Sequence, residues 1–463
     1  MRPEIRSLRR SVVLASLIGG GAGALVACKS DDTAPATSAE KDGGTGGQGG
    51  TGGQGGTGGQ GGTGGQGGGA GGSKSDAGLD ASTPNPDAGD AAEPPLPPLT
   101  GTVFVAGADF NAGAGEIAAI DLATGNALGH LDVGDGDLGL NTSGGFVFAL
   151  ERSGGAVDTL GPTGAIVKHI PLSLGDAGAG YLNPHSVLVA SATKAYVPLN
   201  AANAIAVVDP TAGTQTGLIS LASFLDPSDH DGSTEPEAAH YDAATHRAYF
   251  VLGRTDIFSG SLATNYMPVC PSSPALVIAV DAESDAIVDL DGDAGKNGFA
   301  LPQVGPGYTS FDAASGKLYV VSDGCNGGAD GGALRTNHGI ASLTLATGAT
   351  ETLYAPTAQD FLGAILSAGT ELYVETDDEN FTAFFHPWSP ATPGTLGAPL
   401  ENVPGAPVVA TAGTLLGYDF GTSADGGTST LVRRYELATR KAHDVATVPF
   451  HGDYFVLNLA VSP

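Results

Sequence analysis

Cationic side chains are scarce in this chain. Its 463 residues include 19 Lys and Arg against 49 Asp and Glu, a formal net charge of −30. An excess of that size repels nucleic acid and anionic membrane surfaces, and makes both poor partners for the protein as a whole. Cysteine is also rare, with three residues. Neither Cys270 nor Cys325 has CxxC or CxxH spacing, so a thiolate metal site or a cysteine nucleophile has no support. The sequence holds no nucleophile elbow and no phosphate loop. Its glycine repeat is not a dinucleotide fingerprint, because no strand precedes it and no helix follows. From Leu99 onward no long helical period occurs either, which excludes a helical architecture there.

What is present begins at the amino terminus. MRPEIRSLRR carries four arginines, and the uncharged SVVLASLIGGGAGALVA follows. A positive segment ahead of a short apolar one reads as a secretion signal, too short for a stable transmembrane span. The signal ends in Leu25-Val26-Ala27-Cys28, which resembles the lipobox of bacterial lipoproteins. The resemblance implies cleavage after Ala27 and lipidation of Cys28, with several acyl chains together anchoring the protein to a bilayer. Lys29 follows the cysteine rather than Asp, which in that family goes with delivery to the outer membrane. Residues 1–27 are therefore expected to be a lipoprotein signal peptide.

Between residues 28 and 99 the chain offers Asp, Ser, Ala, Pro and the repeat GGTGGQ, closing on Glu93-Pro94-Pro95-Leu96-Pro97-Pro98. Such a composition cannot bury enough surface to offset its ordering entropy, so a disordered tether is expected. Treated as a coil of about 70 residues it reaches on the order of 42 to 50 Å. It holds a folded domain away from a lipid surface.

Residues 100–463 alternate short runs of Val, Ile, Tyr and Phe with Gly, Asp, Asn and Ser turns, an all-β pattern. One phrase recurs: a strand such as KAYVPLN, Lys194 to Asn200, then AIAVVDPTAG, Ala204 to Gly213. Partners for the first half are FVAGAD, FVFALER, AYFVLGR, LYVVSD, LYVETD and LLGYDF. Partners for the second include AAIDLATG, IAVDAESD, SLTLATG and RYELATR. Units of about 40 to 50 residues with four short strands each are the signature of propeller blades. The domain resembles a seven-bladed β-propeller of the YVTN/surface-layer type, carried mainly by the Tyr-Val strand and the Val-Asp-Pro-Thr-Ala-Gly turn of the third unit. Two longer intervals reflect insertions, Arg254 to Pro274 and Gly324 to His338, each holding one cysteine. In an exported protein the pair Cys270 and Cys325 reads as a disulfide that pins both loops into one lid. The last residues, YFVLNLAVSP, align with first strands, whereas the domain opens on a second strand. The carboxyl terminus is therefore expected to complete the first blade.

Candidate chemistry clusters on the insertion-bearing face. DPSDHDGSTEPEAAH supplies Asp226, Asp229, His230, Asp231, Glu235, Glu237 and His240, oxygen and imidazole donors for a divalent cation such as calcium. His185, Glu237, His240 and His451 can approach the central funnel. Asp289 to Asp293 imitates an EF-hand start but lacks Gly at its sixth position, Ala294, and Glu at its twelfth, Ala300. No cofactor is expected otherwise. Loops carry function more often than strands do, and no catalytic signature is present. The leading expectation is thus a lipid-anchored, non-enzymatic propeller that binds an envelope protein or polysaccharide at the outer membrane. The alternative is a lactonase-like funnel hydrolase, metal-assisted or not, and a third reading is a structural coat component.

Overall fold

Seven antiparallel hairpins carry the architecture. They pair Thr102–Asp109 with Ala114–Asp121, Phe146–Glu151 with Ala156–Leu160, Lys194–Leu199 with Ala204–Asp209, and Arg247–Leu252 with Leu276–Asp281. The remaining three pair Lys317–Ser322 with Gly339–Thr344, Glu371–Asp377 with Ala383–Trp388, and Thr414–Thr422 with Thr428–Glu436. These are the two halves of the recurrent phrase. Their near-continuous apolar runs are buried on both faces, as in Val103 to Ala106 and Ala195 to Leu199, because a blade is sandwiched between two others. The structure is a computed structural model. It describes residues 96–463 apart from 110–111, 176–180, 228–231, 256–269, 293–296, 327–334, 357–360, 379–381, 423–427, 451–453 and 463.

The turn after the third strand has a shared chemistry in the first, third and fourth blades. The carboxylate of Asp121 accepts from the Thr124 N–H and hydroxyl, both at 2.8 Å. Asp281 accepts from the Ser284 N–H at 2.8 Å and its hydroxyl at 2.7 Å, and Asp209 from the Thr211 and Ala212 N–H groups. The residue after each turn then adopts a left-handed backbone, with φ of 71° at Gly125, 80° at Gly213 and 56° at Asp285. An Asp that mimics a backbone turn followed by a residue tolerant of that region is what DPTAG and DAESD encode.

Each hairpin gains an inner strand and an outer one. Inner strands are Leu138–Ser143, Leu188–Ser191, Pro236–Asp242, Pro306–Asp312, Phe361–Ala368 and Gly405–Thr411 for the second to seventh blades. The first blade takes its inner strand from the carboxyl terminus: Phe455–Ser462 pairs antiparallel with Thr102–Asp109, from Thr102 opposite Ser462 to Ala108 opposite Phe455. The expected ring closure is therefore present, and it removes the free edge that an open ring would expose. Outer strands such as Ala127–Val133, Ile166–Pro171 and Thr214–Ser220 complete the sheets.

The sixth blade departs from the pattern, with three regular strands. Its outer segment still follows Ala383–Trp388, where the Gly397 and Leu400 N–H groups donate to Pro387 O and Phe385 O at 2.8 Å. Pro390, Pro393 and Pro399 remove the donors that a regular ladder would need.

Among the described residues, one apolar cluster fills each gap between neighbouring blades. Phe148, Leu150 and Val157 of the second blade meet Val187, Val197 and Leu199 of the third, and Tyr249, Val251 and Val277 of the fourth meet Leu318, Val320 and Leu343 of the fifth. Side chains also reach from one inner strand to the next backbone. The Leu140 N–H donates to Asn458 Oδ1 at 3.1 Å, Val187 N–H to Asn141 Oδ1 at 3.2 Å, and Ala238 N–H to Ser186 Oγ at 3.1 Å. The free edge of each inner strand would otherwise leave such donors unmet.

Candidate functional site at the channel mouth

Both insertions join the second strand of a blade to its third, in the fourth and fifth blades, and open on the same face. Cys270 and Cys325 form a disulfide across them, with a Cα–Cα distance of 4.9 Å. Cys325 is fully buried, and a short hairpin of Cys325–Asn326 with Arg335–Thr336 carries it. Thr336 Oγ1 lies 3.5 Å from one sulfur and 3.8 Å from the other.

On the same face, at the ends of the inner strands, the third and fourth blades bring two expected residues together. His185 Nδ1 hydrogen-bonds Glu237 Oε1, and both side chains are largely buried. An ionised carboxylate only accepts, so Nδ1 is the donor in this bond. Glu237 is held further by Asn200 Nδ2, which donates at 3.2 Å, and by the Ser186 hydroxyl at 3.3 Å. His185 Nε2 is buried with no hydrogen-bond partner among the described residues, as are Asn200 Oδ1 and the whole amide of nearby Asn183. Asn183 O accepts from the Asn200 N–H at 3.0 Å, which joins the two asparagines into one polar group. Asn183, Ser186 and Asn200 went unnoticed in the sequence. The only signal for Asn200 was its place at the end of KAYVPLN, where a second strand reaches this face.

His240 goes elsewhere. A register shift separates it from Ala238, and its ring stacks on Phe311 of the fifth blade, with centroids 3.6 Å apart. Burial holds its pKa below the ordinary histidine value, with Asp242 opposing. His230 and His451 lie outside the described residues, as do Asp229, Asp231 and Cys28. Of the acidic loop, Asp226 and Glu235 are described: Asp226 accepts from the Ser272 hydroxyl at 2.8 Å and lies 3.9 Å from Arg254, and buried Glu235 accepts from the Thr255 N–H at 2.7 Å, ties between the loop and the first insertion. The Asp289 to Asp293 run turns at Gly292, φ 73°, whose N–H donates to Asp289 Oδ1 at 2.9 Å.

The channel adds groups from further blades. Tyr308, on the inner strand of the fifth blade, keeps 38% of its surface exposed. Enclosure by the ring of strands still raises its hydroxyl pKa, and the Glu375 and Glu237 carboxylates add to the rise. Burial also raises Glu375, against the Ala364 N–H that donates to it at 3.0 Å. In the second blade, as part of a separate group with Asp158 and His169, Glu151 is pushed up to about 7 by burial, with the hydrogen-bonded Asp158 carboxylate adding to the rise. The mouth thus combines an oriented imidazole, carboxylates, amides and a tyrosine, a set suited to hydrogen-bonding polyols or peptides and to moving a proton at His185 Nε2.

No protein-family model matches the chain. No curated protein matches its sequence. Solved structures with a similar fold include AztD from Citrobacter koseri, 14% identical over 78% of this chain and 97% of that one, with a TM-score of 0.43. Virginiamycin B lyase from Staphylococcus aureus is 14% identical over 68% of this chain and 85% of that one, TM-score 0.40. The β-propeller domain of Cps50 (Swd1) from Myceliophteria thermophila is 12% identical over 74% and 97%, TM-score 0.43. Likenesses this distant concern the fold, and no activity passes from these proteins to this chain.

Proposed function

We propose that the protein is a lipid-anchored propeller of the cell envelope that binds an envelope protein or glycan with its insertion-bearing face. The observation that carries the reading is the Cys270–Cys325 disulfide, which ties the insertions of the fourth and fifth blades together. Loops carry function more often than strands do, and a cross-link reduces the entropy that loops lose on binding. The signal and lipobox around Cys28 and the glycine-rich tether support the location. The excess of acidic residues directs the search toward neutral or cationic partners. The test is a titration of the protein with isolated cell-wall polysaccharide and with solubilised envelope proteins. Saturable binding to either, weakened by Cys270→Ser with Cys325→Ser, is the expected result; no saturable binding to either refutes the reading.

A second reading is favoured by the His185–Glu237 pair. A carboxylate-oriented imidazole with an unpartnered Nε2 is the arrangement a general base needs. A funnel hydrolase of this kind, acting on lactones or other esters, loses its activity in His185→Gln while still folding. Turnover that survives this substitution rules the base out.

A further inference from the structure

The second blade carries another group of chemistry-bearing side chains, independent of the channel dyad and of the reading above. Glu151 ends its second strand, Asp158 lies on its third, and His169, directly opposite Asp158 in the register, lies on its fourth. One ligand atom from each falls within 4.8 Å of the others. His169 Nδ1 stands 2.7 Å from Asp158 Oδ1 and 4.0 Å from Glu151 Oε1.

Asp158 separates this group from an exposed acidic patch. Its side chain is wholly buried, yet Oδ2 has no hydrogen-bond partner among the described residues. A buried carboxylate oxygen without a donor is costly unless a cation or a proton reaches it. The neighbouring Glu151 carboxyl can donate to Asp158 only in its protonated form; once ionised it brings a second negative charge. Gly154 leaves room on the other side: a Cβ there would sit 3.0 Å from Glu151 Oε2 and 3.4 Å from Asp135 Oδ2. His169 is half exposed and gives the group a path to solvent.

We propose that Glu151, Asp158 and His169 bind a divalent transition-metal cation, with zinc the best match to one imidazole nitrogen and two carboxylate oxygens. Calcium takes oxygen shells and gains nothing from imidazole, so the calcium expected from the sequence is not the cation for this group. Two carboxylates balance the charge of the ion. On binding, the His169 Nδ1 proton leaves to solvent, and the Asp158–His169 hydrogen bond gives way to two metal–ligand bonds. Asp158 Oδ2 gains the partner it lacks. A similar trio in the first blade, Glu116, His130 and Asp132, has two exposed members and serves as the internal comparison.

The test is isothermal titration of the tag-free full-length protein with zinc chloride, and with calcium chloride as the second cation. The wild type is compared with His169→Gln, Asp158→Asn and His130→Gln. His169 is half exposed, so its substitution leaves the fold intact even if Asp158→Asn does not, and a melting curve checks each variant. The expected result is a saturable zinc isotherm weakened about tenfold or more by His169→Gln, unchanged by His130→Gln, with no comparable calcium isotherm. No zinc binding, zinc binding indifferent to His169→Gln, or equal calcium binding overturns the proposal; a shared proton between Glu151 and Asp158 then accounts for the group.

Discussion

Replacing both cysteines of the lid with serine tests how the disulfide acts on the ring. The bridge closes 55 residues of sequence. That loop contains the third strand of the fourth blade, Leu276–Asp281, and the first two strands of the fifth, Pro306–Asp312 and Lys317–Ser322. Its removal therefore frees the unfolded chain across a blade boundary. For a closed loop of this length the chain-entropy relation gives about 4 kcal/mol at 25 °C. A folded region of roughly 360 residues unfolds with an entropy near 0.75 kcal/mol/K, so the loss corresponds to about 5 °C in Tm. The packing penalty is small, because Thr336 Oγ1 already lies beside both sulfurs and offers a serine hydroxyl a partner. Differential scanning calorimetry of wild type and Cys270→Ser/Cys325→Ser reads the effect directly. A fall of about 5 °C in a single transition is expected. A Tm within about 1 °C of wild type would refute the reasoning, since the bridge would then restrict neither the unfolded chain nor the blade boundary.

Other outcomes follow from the same structure. Deleting residues 453–463 takes away the inner strand of the first blade, with buried Val456, Leu459 and Ala460. Cooperative thermal unfolding is expected to be lost, and an unchanged melt refutes closure by the carboxyl terminus. The single change Leu459→Ala is expected to cost about 2 to 5 kcal/mol in a denaturant titration. Acid stability follows from the turn aspartates. Hydroxyl and N–H donors hold Asp121, Asp242, Asp281 and Asp312 below the ordinary carboxylate pKa. Their contribution is present above the unfolded value, about pH 4, and is lost as the pH falls through the lowered folded values. Asp242→Asn with Asp312→Asn is expected to flatten the acid limb of the Tm profile, and superimposable limbs contradict this origin.

The hairpins were legible because a blade core strand is buried on both faces and, in the first, third and fourth blades, ends in an Asp-capped turn. AAIDLATG and AVVDPTAG state both requirements in eight residues. Outer strands were not legible in the same way. Ala127–Val133 alternates exposed and half-buried positions and has no run to recognise. In the sixth blade prolines interrupt the ladder, a local veto that the repeat pattern does not anticipate. At the site, the candidate histidines could be assigned to one face from the repeat. The meeting of His185 with Glu237, from neighbouring blades, depends on how two inner strands lie side by side. The turning of His240 toward Phe311 depends on a register shift, and neither is written in residue types. The group of Glu151, Asp158 and His169 is scattered over three strands and carries no spacing that a motif search finds.

The central claim is that the face bearing the lid engages a partner in the envelope. Photo-crosslinking in living cells tests it most directly, with a photoreactive residue placed at Ser273, beside the disulfide, or at Pro302, in the connection to the fifth blade. A control position at Ala244 sits in an Asp-capped turn on the opposite face. The account predicts one recurrent envelope protein or glycan-bearing species captured from Ser273 and Pro302 and absent from Ala244. Equal, diffuse capture from all three positions would contradict it.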